Sequence, residues 1–110
     1  MDISDLPQPI ADYIKAKQNH DTDALLATLA DDALVIDEKK EYQGLNAIRD
    51  WADKQVSTFS PTYEVTTVTN NGNKYIAVVT VAGNFPGSPV SLPFHFTIVE
   101  EKIVKVVVDS

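Results

Sequence analysis

From residue 63 to residue 109 nothing in the sequence reads as helix. Four segments rich in Val, Thr, Ile and Phe, at 63–69, 74–84, 91–100 and 103–109, follow one another with short breaks, which is the composition and spacing of consecutive β-strands. The break at 70–73 reads NNGN, whose Asn and Gly tolerate positive φ, and the EEK between Val99 and Ile103 makes a second tight turn. Only 85–92, FPGSPVSL, is a longer connection. Strands joined by tight turns lie antiparallel, and a sheet must bury one face against another layer. The cover has to come from the first half of the chain.

That half carries helical periodicity. Residues 6–19 place Ile10, Tyr13, Ile14 and Lys17 on one face. Pro7 and Pro9 fit near a helix start, with Ser4 or Asp5 as cap. Asn19 and His20 form a bend. Asp21 then caps a shorter helix with the stripe Leu25, Leu26, Leu29, which Asp31 and Asp32 close. Residues 33–36 are a short β-type run. Asp37 interrupts it where another hydrophobe belongs, a turn follows at 38–40, and a third helix starts after Gly44 with Leu45, Ile48, Ala52 and Val56 inward and Arg49 and Trp51 on its flanks. Helices in front and strands behind predict an α+β domain with one curved sheet wrapped over helices.

The 110 residues are read as one domain, 1–110, of a size that buries about two-thirds of its unfolded-chain surface. A net charge of −7, with Arg49 the only arginine, argues against nucleic acid and anionic membrane surfaces. Without cysteine there are no disulfides, thiol nucleophiles or thiolate metal sites. No stretch approaches the roughly 18 apolar residues of a membrane span, and MDISDLPQPI does not read as a signal peptide. The expectation is a cytoplasmic protein.

The two opening helices, the ADDALVID junction, the YQGLNAIRDW passage into a third helix and the four-strand tail resemble the nuclear transport factor 2-like superfamily, in its SnoaL-like (polyketide cyclase and steroid delta-isomerase-like) branch. NHDTDALLATLADDALVIDE and EYQGLNAIRDW are the pieces that carry the likeness. The resemblance implies a cone-shaped curved antiparallel sheet wrapped over three N-terminal helices, one pocket inside for a small apolar organic ligand, and a homodimer through the outer sheet face. It specifies the fold more than the activity, because the superfamily spans cofactor-free isomerases, cyclases and dehydratases, epoxide hydrolases, and non-catalytic dimerisation or ligand-carrier modules.

In the likeness to steroid delta-isomerases, Asp37 matches the proton-transferring aspartate and Tyr13 the oxyanion-stabilising tyrosine. A carboxylate in an apolar pocket is a better base, and a phenol can donate to a developing enolate. The carboxylic acid those enzymes add on the strand at 91–100 has no counterpart, since the set assigned inward there is Leu92, Phe94, Phe96 and Ile98. Val35, Trp51, Phe59 and Phe85 are further pocket candidates. Each has a plainer alternative: Asp37 as a solvated turn residue paired with Lys39 or Lys40, Tyr13 and Trp51 as core aromatics. His95, on the opposite strand face, reads as a surface or interface residue. No cofactor motif or metal-ligand spacing occurs, and His20 with Asp21 and Asp23 is better explained by helix capping.

Overall fold

A computed structural model describes residues 6–109. Its elements are α1 (Gln8–Gln18), α2 (Thr22–Ala27), β1 (Leu29–Asp37), β2 (Lys40–Gln43), α3 (Leu45–Phe59), β3 (Thr62–Asn71), β4 (Lys74–Ala82), β5 (Val90–Val99) and β6 (Lys102–Val108). The strands form one six-stranded sheet in the order β2-β1-β6-β5-β4-β3. The α+β class is as the sequence predicts. The sheet is mixed, however, rather than wholly antiparallel: β1 runs parallel to β6, while every other neighbouring pair is antiparallel. The long excursion through α3 and four strands gives the chain room to return to β1 in the same direction. Slips in register at 65–67, 97–98 and 29–34 bend the sheet around the helices.

The second helix ends earlier than its leucine stripe predicts. The Thr28 hydroxyl donates to the Leu25 carbonyl and the Ile103 amide donates to the Thr28 carbonyl, so the chain is already tied to β6 at that point. Leu29 is therefore a buried strand residue, and Asp31 and Asp32 stand exposed on β1 instead of closing a helix. A strand the sequence did not announce, β2, follows a two-residue turn in which Glu38 and Lys39 both take positive φ. The Ser4 and Asp5 capping positions lie outside the described residues; the first helix starts after Pro7.

Ile10, Tyr13 and Ile14 of α1 and Ile48, Trp51 and Ala52 of α3 pack onto the inner sheet face, against Val35, Val79, Phe94, Phe96 and Val106. Trp51, 5% exposed, belongs to this inner face and not to a flank of α3. Arg49 does lie outside, paired with Asp23 at 2.9 Å. On the outer sheet face Ile36, Val107, His95 and Ile76 form one row across four strands, with His95 Nε2 3.8 Å from the Asp109 carboxylate. Among the described residues no helix is long and apolar enough to cross a membrane.

Candidate functional site

Along β1, Ala33 and Val35 point into the cone and are fully buried. Asp37, two residues on, shares their direction but stands at the strand's last position, where the core gives way to the cone mouth. Its Oδ2 accepts from Trp51 Nε1 at 3.1 Å and from Gln55 Nε2 at 2.8 Å. These two donors are four residues apart on α3 and so stack on one helix face. Both converge on the same carboxylate oxygen. Among the described residues no protein group donates to Oδ1.

Behind these donors is Lys17. Its ammonium donates to Gln55 Oε1 at 3.1 Å and sits 4.1 Å from the centroid of the Trp51 ring and 5.2 Å from that of Tyr63, both within cation–π range. Burial pushes the Lys17 pKa down to about 8, and the nearby Asp37 carboxylate opposes that shift. Tyr63 is held in its phenol form by burial, and further by the Asp37 charge. Tyr13 is held so by burial first, then by Tyr63 and Asp37. The Tyr13 hydroxyl is fully buried and, among the described residues, has no hydrogen-bond partner, an arrangement that costs about 1–3 kcal/mol.

A cavity of about 510 Å³ opens above Asp37. It is lined by Gln55 and Phe59 from α3, by Tyr63, Val81, Val90 and Leu92 from the sheet, where Tyr63, Val81 and Val90 are cross-strand neighbours, and by Pro61, Phe85 and Pro86 from the connections. Asp37 and Glu38 are its acidic members, and among the described residues it has no basic one. The rim is fixed by a close approach: the Asn84 amide donates to the Phe59 carbonyl at 2.9 Å, and a Cβ on Gly83 would lie 2.7 Å from that same oxygen. Phe85 thereby meets Phe59 edge to face at 5.8 Å. A second cleft of about 520 Å³ shares Asp37, Gln55 and Phe59 and runs along Trp51 and Tyr42.

The candidates drawn from the sequence therefore separate by depth. Asp37, Phe59 and Phe85 line the mouth cavity, and Trp51 holds Asp37 from the adjoining cleft. Val35, Phe94 and Phe96 do not line it; they are 0%, 5% and 1% exposed and fill the middle of the cone, where Tyr13 lies edge-on to Phe96 at 5.2 Å. Ile98 faces a different cleft, of about 890 Å³, between α1, α2 and the β5–β6 turn, about 20 Å along β5 from Leu92. Lys17, Gln55 and Tyr63 were not among those candidates. Gln55 is four residues after Trp51, and Lys17 four after Tyr13, so helical spacing from two chosen aromatics would have found both. His20, weighed for a metal, bonds the Pro61 carbonyl, and among the described residues no group of three potential ligands is assembled.

A curved mixed sheet over three helices, with a carboxylate at the cone mouth, defines a cystatin-like α+β architecture of the nuclear transport factor 2-like kind. The chain belongs to the SnoaL-like domain family, whose model matches residues 10–106. Among solved structures it is similar to a proposed polyketide cyclase from Sinorhizobium meliloti, with 37% identity, 99% of this chain and 100% of that one covered, and a TM-score of 0.95. It shares its fold with a hypothetical protein of ketosteroid isomerase-like fold from Catenulispora acidiphila in complex with trimethylamine (16% identity, 94% and 85% covered, TM-score 0.81). The same holds for a Mycobacterium tuberculosis protein in complex with estradiol-17β-hemisuccinate (15% identity, 91% and 88% covered, TM-score 0.77). No curated protein matches the chain in sequence.

Proposed function

We propose that this protein binds a small, largely apolar carbonyl compound in the mouth cavity and transfers a proton on it without a cofactor, as an isomerase, cyclase or dehydratase would. The observation that carries this reading is that, of the two carboxylates lining a mainly apolar cavity, Asp37 is tied through one oxygen by two N–H donors, with its other oxygen open. In the reaction Asp37 Oδ1 takes a proton from the carbon next to the carbonyl and the C–H electron pair moves into the enolate; in an isomerisation the proton returns to a second carbon, and in a dehydration the enolate electrons form the new C=C bond as the C–O bond of a β-hydroxyl breaks and hydroxide leaves with that proton as water. Tyr63, at the cavity wall, is the hydrogen-bond donor for the enolate oxygen, and the Tyr13 hydroxyl, outside the cavity lining and packed against Phe96, serves only a ligand that reaches past Asp37. Acidic groups without a basic partner in the lining repel a free carboxylate, which favours neutral or cationic ligands.

Relatives in fold that hold a steroid ester and an amine support a small-molecule pocket. The apolar row Ile36, Val107 and Ile76 on the outer face supports a homodimer, which light scattering of the purified protein decides. A second reading, a ligand carrier or dimerisation module without turnover, is favoured by one feature: the inward residues of β5 supply no acid to complete the isomerase set. Native mass spectrometry of protein from its source organism identifies the bound compound. Asp37→Asn, which keeps an oxygen acceptor for Trp51 and Gln55, should then cut turnover of that compound or its carbonyl precursor by about 10²–10⁴ and leave binding nearly intact. Undiminished turnover sinks the base assignment, and binding without turnover in the unmodified protein selects the carrier.

A further inference from the structure

Lys17, Gln55, Asp37 and Trp51 form a closed ring of contacts. The ammonium donates to Gln55 Oε1 at 3.1 Å, Gln55 Nε2 donates to Asp37 Oδ2 at 2.8 Å, Trp51 Nε1 donates to the same oxygen at 3.1 Å, and the ammonium lies over the Trp51 ring at 4.1 Å. A glutamine amide is nearly symmetric in shape, so either end could face Asp37. A cation on its oxygen decides the matter, because the turned amide would present oxygen to carboxylate and N–H to ammonium. The same cation over the indole face holds Trp51 with its N–H on Asp37.

Lys17 does not itself line the mouth cavity. It borders a void of about 20 Å³ on the far side of Gln55 and Tyr63, the two residues that line both spaces. Its amine is therefore screened from a ligand, and a nucleophilic or Schiff-base role has no geometry to support it. We propose that Lys17 is the positioning residue of this site: one half-buried cation behind the cavity wall that fixes Gln55 and Trp51 as paired donors to a single oxygen of Asp37, leaving the other oxygen for the ligand. The inference rests on the reading of Asp37 as the cavity's functional carboxylate, but its test does not. The groups that face this ammonium are Asp37 from β1, Tyr63 from β3, Tyr13 one turn back on α1, and His20 and Asp21 beyond the end of α1.

Trp51 is the only tryptophan in the chain, so its indole N–H gives a single resonance that reports on the ring directly. In the ligand-free protein, followed by NMR from pH 6 to 10, that resonance should move with a midpoint near 8, where the ammonium loses its proton. Lys17→Met should abolish the inflection. Lys17→Arg, which keeps the charge across this range, should hold the resonance close to its low-pH position throughout. The Gln55 side-chain amide should follow the same three curves. If Lys17→Met fails to fold, the native titration and Lys17→Arg decide the question. A flat native resonance between pH 7 and 9, or an inflection that survives in either variant, overturns the proposal. A catalytically silent Asp37 leaves these curves unchanged, so failure of the base assignment and failure of the positioning role are separately visible.

Discussion

The middle of the cone and its mouth are built from the same strands on the same inner face, yet they are filled differently. In the middle, Val35, Phe96 and Val106 are shut away from solvent, and among the described residues one buried side-chain polar atom, the Tyr13 hydroxyl, goes without a partner. At the mouth the packing opens into a cavity, and the polar atoms are tied to one another from Lys17 through Gln55 to Asp37. A single strand, β1, crosses from one regime to the other within two residues, Val35 to Asp37. Apolar contact stabilises the middle, and its tolerance for polar groups is low. The mouth contributes less to packing and can carry a charge. On the proposed function, stability and chemistry are held by different layers and should respond to different substitutions.

The largest test of that separation is to compare Phe96→Ala with Asp37→Asn. Truncating Phe96 removes a ring from a close-packed interior and should cost about 3–5 kcal/mol in urea denaturation. Asp37→Asn should move stability by no more than about 1 kcal/mol, since its amide oxygen can still accept from both donors, while turnover falls as argued above. If Asp37→Asn unfolds the protein as readily as Phe96→Ala does, the mouth network is structural and the separation fails. A smaller effect sharpens the comparison from the rim. Gly83→Ala places a methyl group against the Phe59 carbonyl, a backbone atom that cannot swing aside, so the 83–85 segment must shift at a cost of about 1–3 kcal/mol. That shift should loosen the Phe59–Phe85 contact and weaken ligand binding at the rim. An unchanged Tm together with unchanged affinity would show that the rim is not held by this approach.

These layers also mark what could be read without coordinates. The four later strands were legible because Val, Thr, Ile and Phe recur between unmistakable turns, whereas β2, four residues of KEYQ, has neither alternation nor apolar content to signal it. Parity put Phe94, Phe96 and Asp37 in the right direction. Parity repeats every two residues along a whole strand, however, and so cannot say which inward residue lies deep and which lies at the mouth. That depth depends on where β5 pairs with β6 and where α3 ends, relations between segments distant in sequence. Lys17 was placed on the inner face of α1, but a lysine stem usually carries its charge out to water. Only the convergence of Trp51, Gln55 and Tyr63 from two other elements gives the ammonium an inward destination. Asp37 stood out for the opposite reason, as a charge where the local pattern required a hydrophobe.

The smallest expected effect comes from the one polar atom in the apolar middle. Tyr13→Phe removes a hydroxyl that is fully buried and makes no hydrogen bond, leaving the ring and its edge-on contact with Phe96 in place. Deleting a satisfied buried hydroxyl destabilises, but deleting an unsatisfied one relieves a desolvation penalty and leaves only a small gap. Stability should therefore stay level or rise by about 1 kcal/mol, measured by urea denaturation under conditions where the ligand is absent. A ligand that reaches past Asp37 and accepts from this hydroxyl reverses the balance, because the penalty is then relieved by binding in the native protein and cannot be relieved in the variant. Tyr13→Phe should in that case lose ligand affinity by about tenfold while gaining stability. A loss of stability with no change in affinity would mean that the hydroxyl is satisfied within the fold, and the middle of the cone would then be as self-contained as its apolar packing suggests.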